Sequence, residues 1–360
     1  MGNSCKLLLV LTVNLFFSAA SSHAQFVYTA NFEDGTVSGY RTTSDGSIVP
    51  VPGSPFAGGS LPKSLAVDPS GKFLFVAPEG GTALLVYAIG SDGGLTPVPG
   101  SPFQQASPPI AVAVHPNGKF VYVLSRNNVF GYRLDSKGVL SVVPGSPFAS
   151  GGGPTSIAVE PKGKYVYVAN SYDSAISGYS VEANGELVPT VDSPCNTPYF
   201  DPELIVPTVA KGELVFVSDT LFLWTYRIEC QGALEQFPGW AIDPGVRVNA
   251  LAIDPKGEFA FVVNFLSGQV LACKIGDLGD LTPVPGSQAP TGLGEVYSMV
   301  VDWTGSFVYV ATFYGNDVWA YRVGEQGFLT PVAGSPFSCG NGPAAIVITP
   351  NPRHRLVQTQ

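Results

Sequence analysis

The sequence predicts an all-β fold, a single seven-bladed β-propeller of four-stranded antiparallel blades, and three observations carry that prediction. Glycine recurs after a short apolar strand at Gly71, Gly118, Gly163, Gly212, Gly257 and Gly305, spaced 47, 45, 49, 45 and 48 residues apart, with Pro352 47 further on. A period in this range marks a repeat architecture. Seven further strands follow these turns, apolar on both faces, so each sheet must be covered on both sides. The two chain ends also complement each other. The chain opens at Phe26 with a second strand and closes with a lone first strand, Ala345-Ile346-Val347-Ile348, so joining them completes the seventh blade and leaves no stray element.

The clearest copy of the unit runs from Ser156 to Val191 and gives the order of its parts. A first strand ends in the turn Pro161-Lys162-Gly163-Lys164, where Gly takes a positive φ at little steric cost. The second strands are Phe26–Ala30, Phe73–Ala77, Phe120–Leu124, Tyr165–Ala169, Leu214–Ser218, Phe259–Val263 and Phe307–Ala311. The third strands are Val37–Arg41, Leu84–Ala88, Val129–Leu134, Ile176–Val181, Leu223–Ile228, Val270–Ile275 and Val318–Val323. A second Gly-bearing turn, such as Glu182-Ala183-Asn184-Gly185, leads to a short fourth strand. Gly-Ser-Pro-Phe then recurs from Gly53, Gly100, Gly145 and Gly334; Pro sets an exit turn and Phe is expected to plug the groove between blades.

Composition agrees with many short strands joined by turns: 360 residues carry 42 Gly, 32 Pro and 45% hydrophobic residues. Residues 1–24 read as a signal peptide, with Lys6, the apolar run Leu7–Phe17 and the small-residue end Ser22-His23-Ala24. The propeller is expected over 25–352 and a C-terminal tail over 353–360, in a secreted or periplasmic monomer with no membrane insertion after cleavage. Without Lys6, 17 basic residues face 27 acidic ones, a net charge of −10, which disfavours nucleic acid. Cys195, Cys230, Cys273 and Cys339 lack the close spacing of a metal site and read as unpaired core or loop residues. No cofactor and no metal is expected.

The tandem Val-Tyr-Val-Ala-Asn strands, the opening Val27-Tyr28-Thr29-Ala30 and the Gly342-Pro343 that leads into the final strand resemble the seven-bladed β-propeller lactonase family, which includes 6-phosphogluconolactonase-like and YVTN repeat proteins. The resemblance covers Gln25 to Pro350. It implies hydrolysis of a sugar lactone or similar cyclic ester, with a Gly-Pro-Arg-His motif leading into a first strand at the channel mouth. The matching pairs here are Thr155-Ser156, Ala344-Ala345, Lys63-Ser64, Ile110-Ala111, Leu204-Ile205, Asn249-Ala250 and Tyr297-Ser298, and none is Arg-His.

The strand 1-to-2 and 3-to-4 turns are nearly uniform and read as structural, whereas the 2-to-3 and 4-to-1 loops differ from blade to blade. Variable loops on a rigid scaffold either build a binding surface or drift without constraint. The candidate ligand-binding residues on that face are Lys63, Arg126, Asn127, Asn170, Tyr172, Asp173, Glu203, Arg247, Asn249, Glu295 and Tyr297. His115 stands in a uniform turn, in the place of Asp68, and reads as structural. A lactonase route would then need a carboxylate base, Glu203 or Glu295. A metal-assisted route would draw on Asn249, Glu295, Asn170 and Asp173. The phosphate of a sugar phosphate would need clustered cations, and Lys63, Arg126 and Arg247 stand on separate blades. These residues favour a module that binds a small polar ligand or another extracytoplasmic protein, with the lactone hydrolase as the alternative.

Overall fold

The structure, a computed structural model, describes residues 25–197, 201–208, 213–219, 222–237, 248–264, 267–292 and 295–350. The expected signal peptide, the tail and Arg247 lie outside the described residues. Seven antiparallel sheets stand around an axis. Their innermost strands, from blade two round to blade one, are Pro62–Val67, Pro109–Val114, Pro154–Val159, Leu204–Thr208, Val248–Ile253, Val296–Val301 and Pro343–Ile348. Each touches the next, and Pro343–Ile348 touches Pro62–Val67, so the ring is complete.

Closure follows the expected route. Pro343–Ile348 pairs antiparallel with Phe26–Asn31, with Val27 opposite Ile348 and Tyr28 opposite Val347. Thr349 extends the seam: its N–H donates to the Phe26 carbonyl at 2.9 Å and its Oγ1 accepts the Phe26 N–H at 2.9 Å. The first blade therefore takes its innermost strand from the far end of the chain, and main-chain pairing fixes both termini of the ring.

The core is distributed among the grooves between blades. The strands Phe73–Pro78 and Phe120–Ser125 are buried along their whole length, as the two-sided apolar pattern demands. Among the described residues seven apolar clusters each join one blade to the next, and the cluster across the seam joins Tyr309, Ala311 and Val318 to Val27, Tyr40 and Ile48. Tyrosine hydroxyls stitch the same grooves. Tyr28, Tyr122, Tyr167 and Tyr309 donate to the carbonyls of Gly93, Gly185, Gly232 and Gly46 in the following blade, at 2.8, 2.9, 3.0 and 3.1 Å. Tyr309 to Gly46 spans the seam, which is thus built like any other groove.

The Gly-Ser-Pro-Phe segments show more order than a four-stranded blade requires. Phe56–Ala57 forms a short fifth strand against the third, with Val37 opposite Phe56. Six of the seven sheets carry such a strand among the described residues, so blades hold four to five strands. The motif explains it. Ser54 Oγ accepts the N–H of Gly39 at 2.9 Å, which ends pairing to the fourth strand, and the Phe56 ring packs 3.2 Å from where a Cβ on Gly53 would stand. With φ of +80°, Gly53 is also a position that side chains disfavour.

Among the described residues four of the 1-to-2 turns are held by an acidic side chain, Asp68, Glu160, Asp254 or Asp302. Asp68 Oδ1 accepts the N–H groups of Lys72 and Phe73 at 2.7 Å, and Asp254 and Asp302 do the same in their blades. His115 takes this place in blade three. Its Nδ1 accepts the Asn117 N–H at 3.1 Å and its Nε2–H donates to the Gly163 carbonyl of the next blade at 2.7 Å, the pattern of a neutral ring. Burial, partly opposed by these bonds, lowers its pKa below the ordinary histidine value.

Candidate functional site

The 2-to-3 turns and 4-to-1 loops meet on one face. Ser171 N–H donates to the Gly153 carbonyl at 2.9 Å, Phe313 N–H to Glu295 at 2.7 Å and Phe32 N–H to Gly342 at 2.8 Å. Each first strand begins on this face. In blade four Pro154 pairs with Asn170 and Ser156 with Ala169, so Thr155 is a bulge residue left over between them. Lys63, Ile110, Asn249, Tyr297 and Ala344 occupy the same bulge in their blades.

Blade five corrects one expected correspondence. Leu204 pairs with Ser218, as Ser156 does with Ala169, so Glu203 rather than Leu204 stands where Thr155 stands. The reason is local. Five residues, 209–213, join Thr208 to Leu214 where four, 161–164, join Glu160 to Tyr165, and counting back from the turn glycine slips by one.

The mouth residues are largely committed to the scaffold. Thr155 Oγ1 donates to the Pro202 carbonyl of the next blade at 2.8 Å and to Ala169 at 3.3 Å. The serines that follow the bulge accept main-chain N–H groups from the neighbouring innermost strand: Ser64 from Val112 at 3.2 Å, Ser156 from Ile205 at 3.4 Å and Ser298 from Ile346 at 3.1 Å. Lys63 pairs with Glu79 of its own blade at 3.0 Å, with both side chains well exposed. Glu203 is half-buried, and its N–H donates to the Ser218 carbonyl at 2.8 Å. Asn249 Oδ1 is buried without a hydrogen-bond partner. The Tyr297 hydroxyl donates to the Glu295 carboxylate.

The loop candidates divide in the same way. Asn170 is fully buried: its Nδ2 donates to Ser177 Oγ at 2.9 Å and to the Val168 carbonyl at 3.3 Å, and its Oδ1 accepts the Gly151 N–H at 3.1 Å. In blade one Asn31 makes the equivalent bond to Ser38 and a further one to Thr36. Asp173 accepts the Gly152 N–H at 2.6 Å. Tyr172 is 85% exposed with its ring over Gly153, and Arg126 and Asn127 are exposed on blade three. The structure thus joins Lys63 to Glu79 and Tyr297 to Glu295, whereas Asn170, Tyr172 and Asp173 fold onto the Gly151–Gly153 loop of their own blade.

Cys195, Cys230, Cys273 and Cys339 are free, and burial raises the thiol pKa of Cys273 and Cys339 to about 12, so these two stay protonated near neutrality. Among the described residues no three His, Cys, Asp or Glu side chains gather closely enough to hold a metal ion, and no helix is long and apolar enough to cross a membrane.

One cluster on this face adds Phe32, Phe313 and Tyr314, which are not among the expected residues, to the expected Tyr297. Phe313 meets Tyr297 edge-to-face at 5.4 Å and Tyr314 at 5.2 Å, and packs against Phe32 at 6.2 Å. The signal in the sequence is the adjacent pair Phe313-Tyr314 in a 2-to-3 turn, where blade three has Arg126-Asn127.

The sequence matches the family described as lactonase, 7-bladed beta-propeller over residues 12–224 and 104–360. The chain belongs to this lactonase family. Among solved structures, this lactonase-family propeller is similar to the periplasmic gluconolactonase of Pseudomonas aeruginosa, at 18% identity and a TM-score of 0.75, over 91% of this chain and 99% of that one. It is also similar to candidate 6-phosphogluconolactonases from Bacteroides fragilis and Bacteroides uniformis. The first is 15% identical, with a TM-score of 0.76 over 92% of this chain and 99% of that one. The second is 18% identical, with a TM-score of 0.77 over 91% and 100%. No curated protein matches the chain. At these identities the structural likeness speaks to the fold.

Proposed function

We propose that this lactonase-family propeller is an exported binding protein that holds a small polar ligand on the 2-to-3 and 4-to-1 loop face. The observation that carries the reading is the state of Thr155 and Ser156. The family resemblance implies Arg-His at this pair, and here both hydroxyls are bonded to blade five. Lactone hydrolysis needs a base for water and a donor for the developing oxyanion. The aligned pairs of the other blades carry no histidine or arginine either. Export is supported by the apolar leader at 1–24 and by the periplasmic location of the Pseudomonas relative.

The test has two arms on the purified mature protein. Titration with glucono-δ-lactone and other unphosphorylated lactones in a pH-stat, with and without calcium or zinc, should give rates equal to spontaneous hydrolysis. A thermal-shift screen of neutral sugars and sugar acids should give a hit that Arg126→Ala, Tyr172→Ala or Tyr297→Ala removes. Turnover that Glu203→Gln abolishes would replace this reading by the hydrolase, and a screen without hits would overturn it as well.

A further inference from the structure

We infer that the aromatic cluster of blades one and seven is a stacking shelf for a neutral carbohydrate chain, an inference that rests on the binding reading and names its ligand class. The shelf consists of Phe32, Glu33, Glu295, Tyr297, Phe313 and Tyr314. Phe313 is its centre, half-buried and perpendicular to both tyrosines, with interplanar angles of 81° to Tyr297 and 89° to Tyr314. Tyr314 and Tyr297 are 65% and 44% exposed. Burial of large aromatic rings is a main source of core stability, so leaving two at the surface beside a third forgoes that gain. Their position is fixed by the scaffold: Tyr297 is a bulge residue of an innermost strand, and the Phe313 N–H is bonded to the Glu295 carbonyl at 2.7 Å.

Charge selects the ligand. Glu295 accepts the Tyr297 hydroxyl at one end. At the other, Glu33 Cγ and the Phe313 ring both lie near the point a Cβ on Gly342 would occupy, at 2.8 and 3.1 Å, so both stand against Gly342. Two carboxylates beside the rings repel an anion, as does the formal net charge of −9. They also make the surface costly to cover with a purely apolar partner, because their hydration would be lost. A sugar ring fits both features. Its axial C–H groups, slightly positive, meet the negative face of an aromatic ring, and its hydroxyls donate to flanking carboxylates. A shelf open to solvent, rather than an enclosed cavity, suits a chain that passes across it.

The experiment is isothermal titration of the mature protein with cellohexaose, xylohexaose, mannohexaose and maltohexaose, with choline chloride as a cationic probe. At least one hexasaccharide should bind. Tyr314→Ala should weaken it tenfold or more, Tyr314→Phe should bind within threefold of the unaltered protein, and Glu33→Gln should weaken it severalfold. Val142→Ala, exposed on the outermost region of blade three, should leave the affinity unchanged. Thermal unfolding of each variant separates loss of binding from loss of fold. Binding of choline but of no hexasaccharide, or hexasaccharide binding equal in Tyr314→Ala, overturns the shelf. If the shelf fails while a small ligand still depends on Arg126 or Tyr172, the binding reading stands. Lactone turnover dependent on Glu203 removes that reading whatever the hexasaccharides do.

Discussion

Replacing Asn170 by Ala tests whether the polar residue that ends a second strand serves the ligand or the blade. The side chain is fully buried and makes three hydrogen bonds, to Gly151 N, Ser177 Oγ and Val168 O, at 2.9 to 3.3 Å. At a net of about 1 kcal/mol each, and with two partners left in a buried setting, Asn170→Ala should cost about 2–4 kcal/mol. For a chain of this size roughly 2 °C is lost per kcal/mol, so the thermal midpoint should fall by about 4–8 °C. Asn31→Ala should behave alike, because Asn31 bonds Thr36 and Ser38 at 2.9 and 2.8 Å in blade one. Asn127→Ala, exposed in the turn of blade three, should stay within about 1 °C of the unaltered protein, as surface changes do. Circular dichroism melts of the three variants decide the matter. Equal midpoints for Asn170→Ala and Asn127→Ala would refute the structural role and return Asn170 to the binding surface.

Other outcomes follow from the same bonds and packing. Tyr309→Phe removes the 3.1 Å bond across the seam and should lower stability by about 1 kcal/mol in urea unfolding, as should Tyr122→Phe in an ordinary groove; a loss for Tyr122 alone would mean the seam is weaker than the other grooves. The lowered pKa of His115 gives a pH dependence. The unfolded chain takes up that proton near pH 6.5 while the folded chain resists, so this contribution is complete above about 6.5 and is lost as pH falls through the folded pKa. His115→Asp, which restores the carboxylate of the other turns, should show a smaller fall in melting temperature between pH 7.5 and 5.5; an equal fall would exclude His115 as the source. Cys195 stands where four other blades place Phe56, Phe103, Phe148 and Phe337, beside a recess of only about 10 Å³ lined by Tyr167, Ile176 and Leu234. Cys195→Phe should overfill so small a recess and cost about 1–3 kcal/mol, and an unchanged or higher melting temperature would show that this groove opens to seat the ring as the other blades do.

The blade count and the closure were legible because they rest on short-range chemistry that repeats. A glycine at positive φ is needed at each turn, and an orphan strand at each chain end needs a partner. The fifth strand was not legible from two-residue pairings, although its Ser and Phe were visible as a motif; the bond from Ser54 to Gly39 requires the third strand to be in place first. Register at the mouth was legible in six blades and slipped in the fifth, where the one extra residue before Leu214 moved Glu203 into line with Thr155. Asn170 read as a loop residue because its partners Gly151 and Ser177 lie on separate segments that only the folded blade unites. Phe313 and Tyr314 stood apart from Tyr297 in sequence for a similar reason: turn and first strand are brought together by the pairing of Val296 with Thr312 and by the Phe313 to Glu295 bond.

The most direct measurement is the rate of lactone ring opening by the purified propeller, residues 25–360, compared with buffer alone, across unphosphorylated sugar lactones and simple cyclic esters. With Thr155 and Ser156 bonded into blade five, the rate should equal the spontaneous one at every enzyme concentration and with either metal present. A rate that rises in proportion to protein and disappears in Glu203→Gln would contradict the account and make the mouth of this propeller an active site.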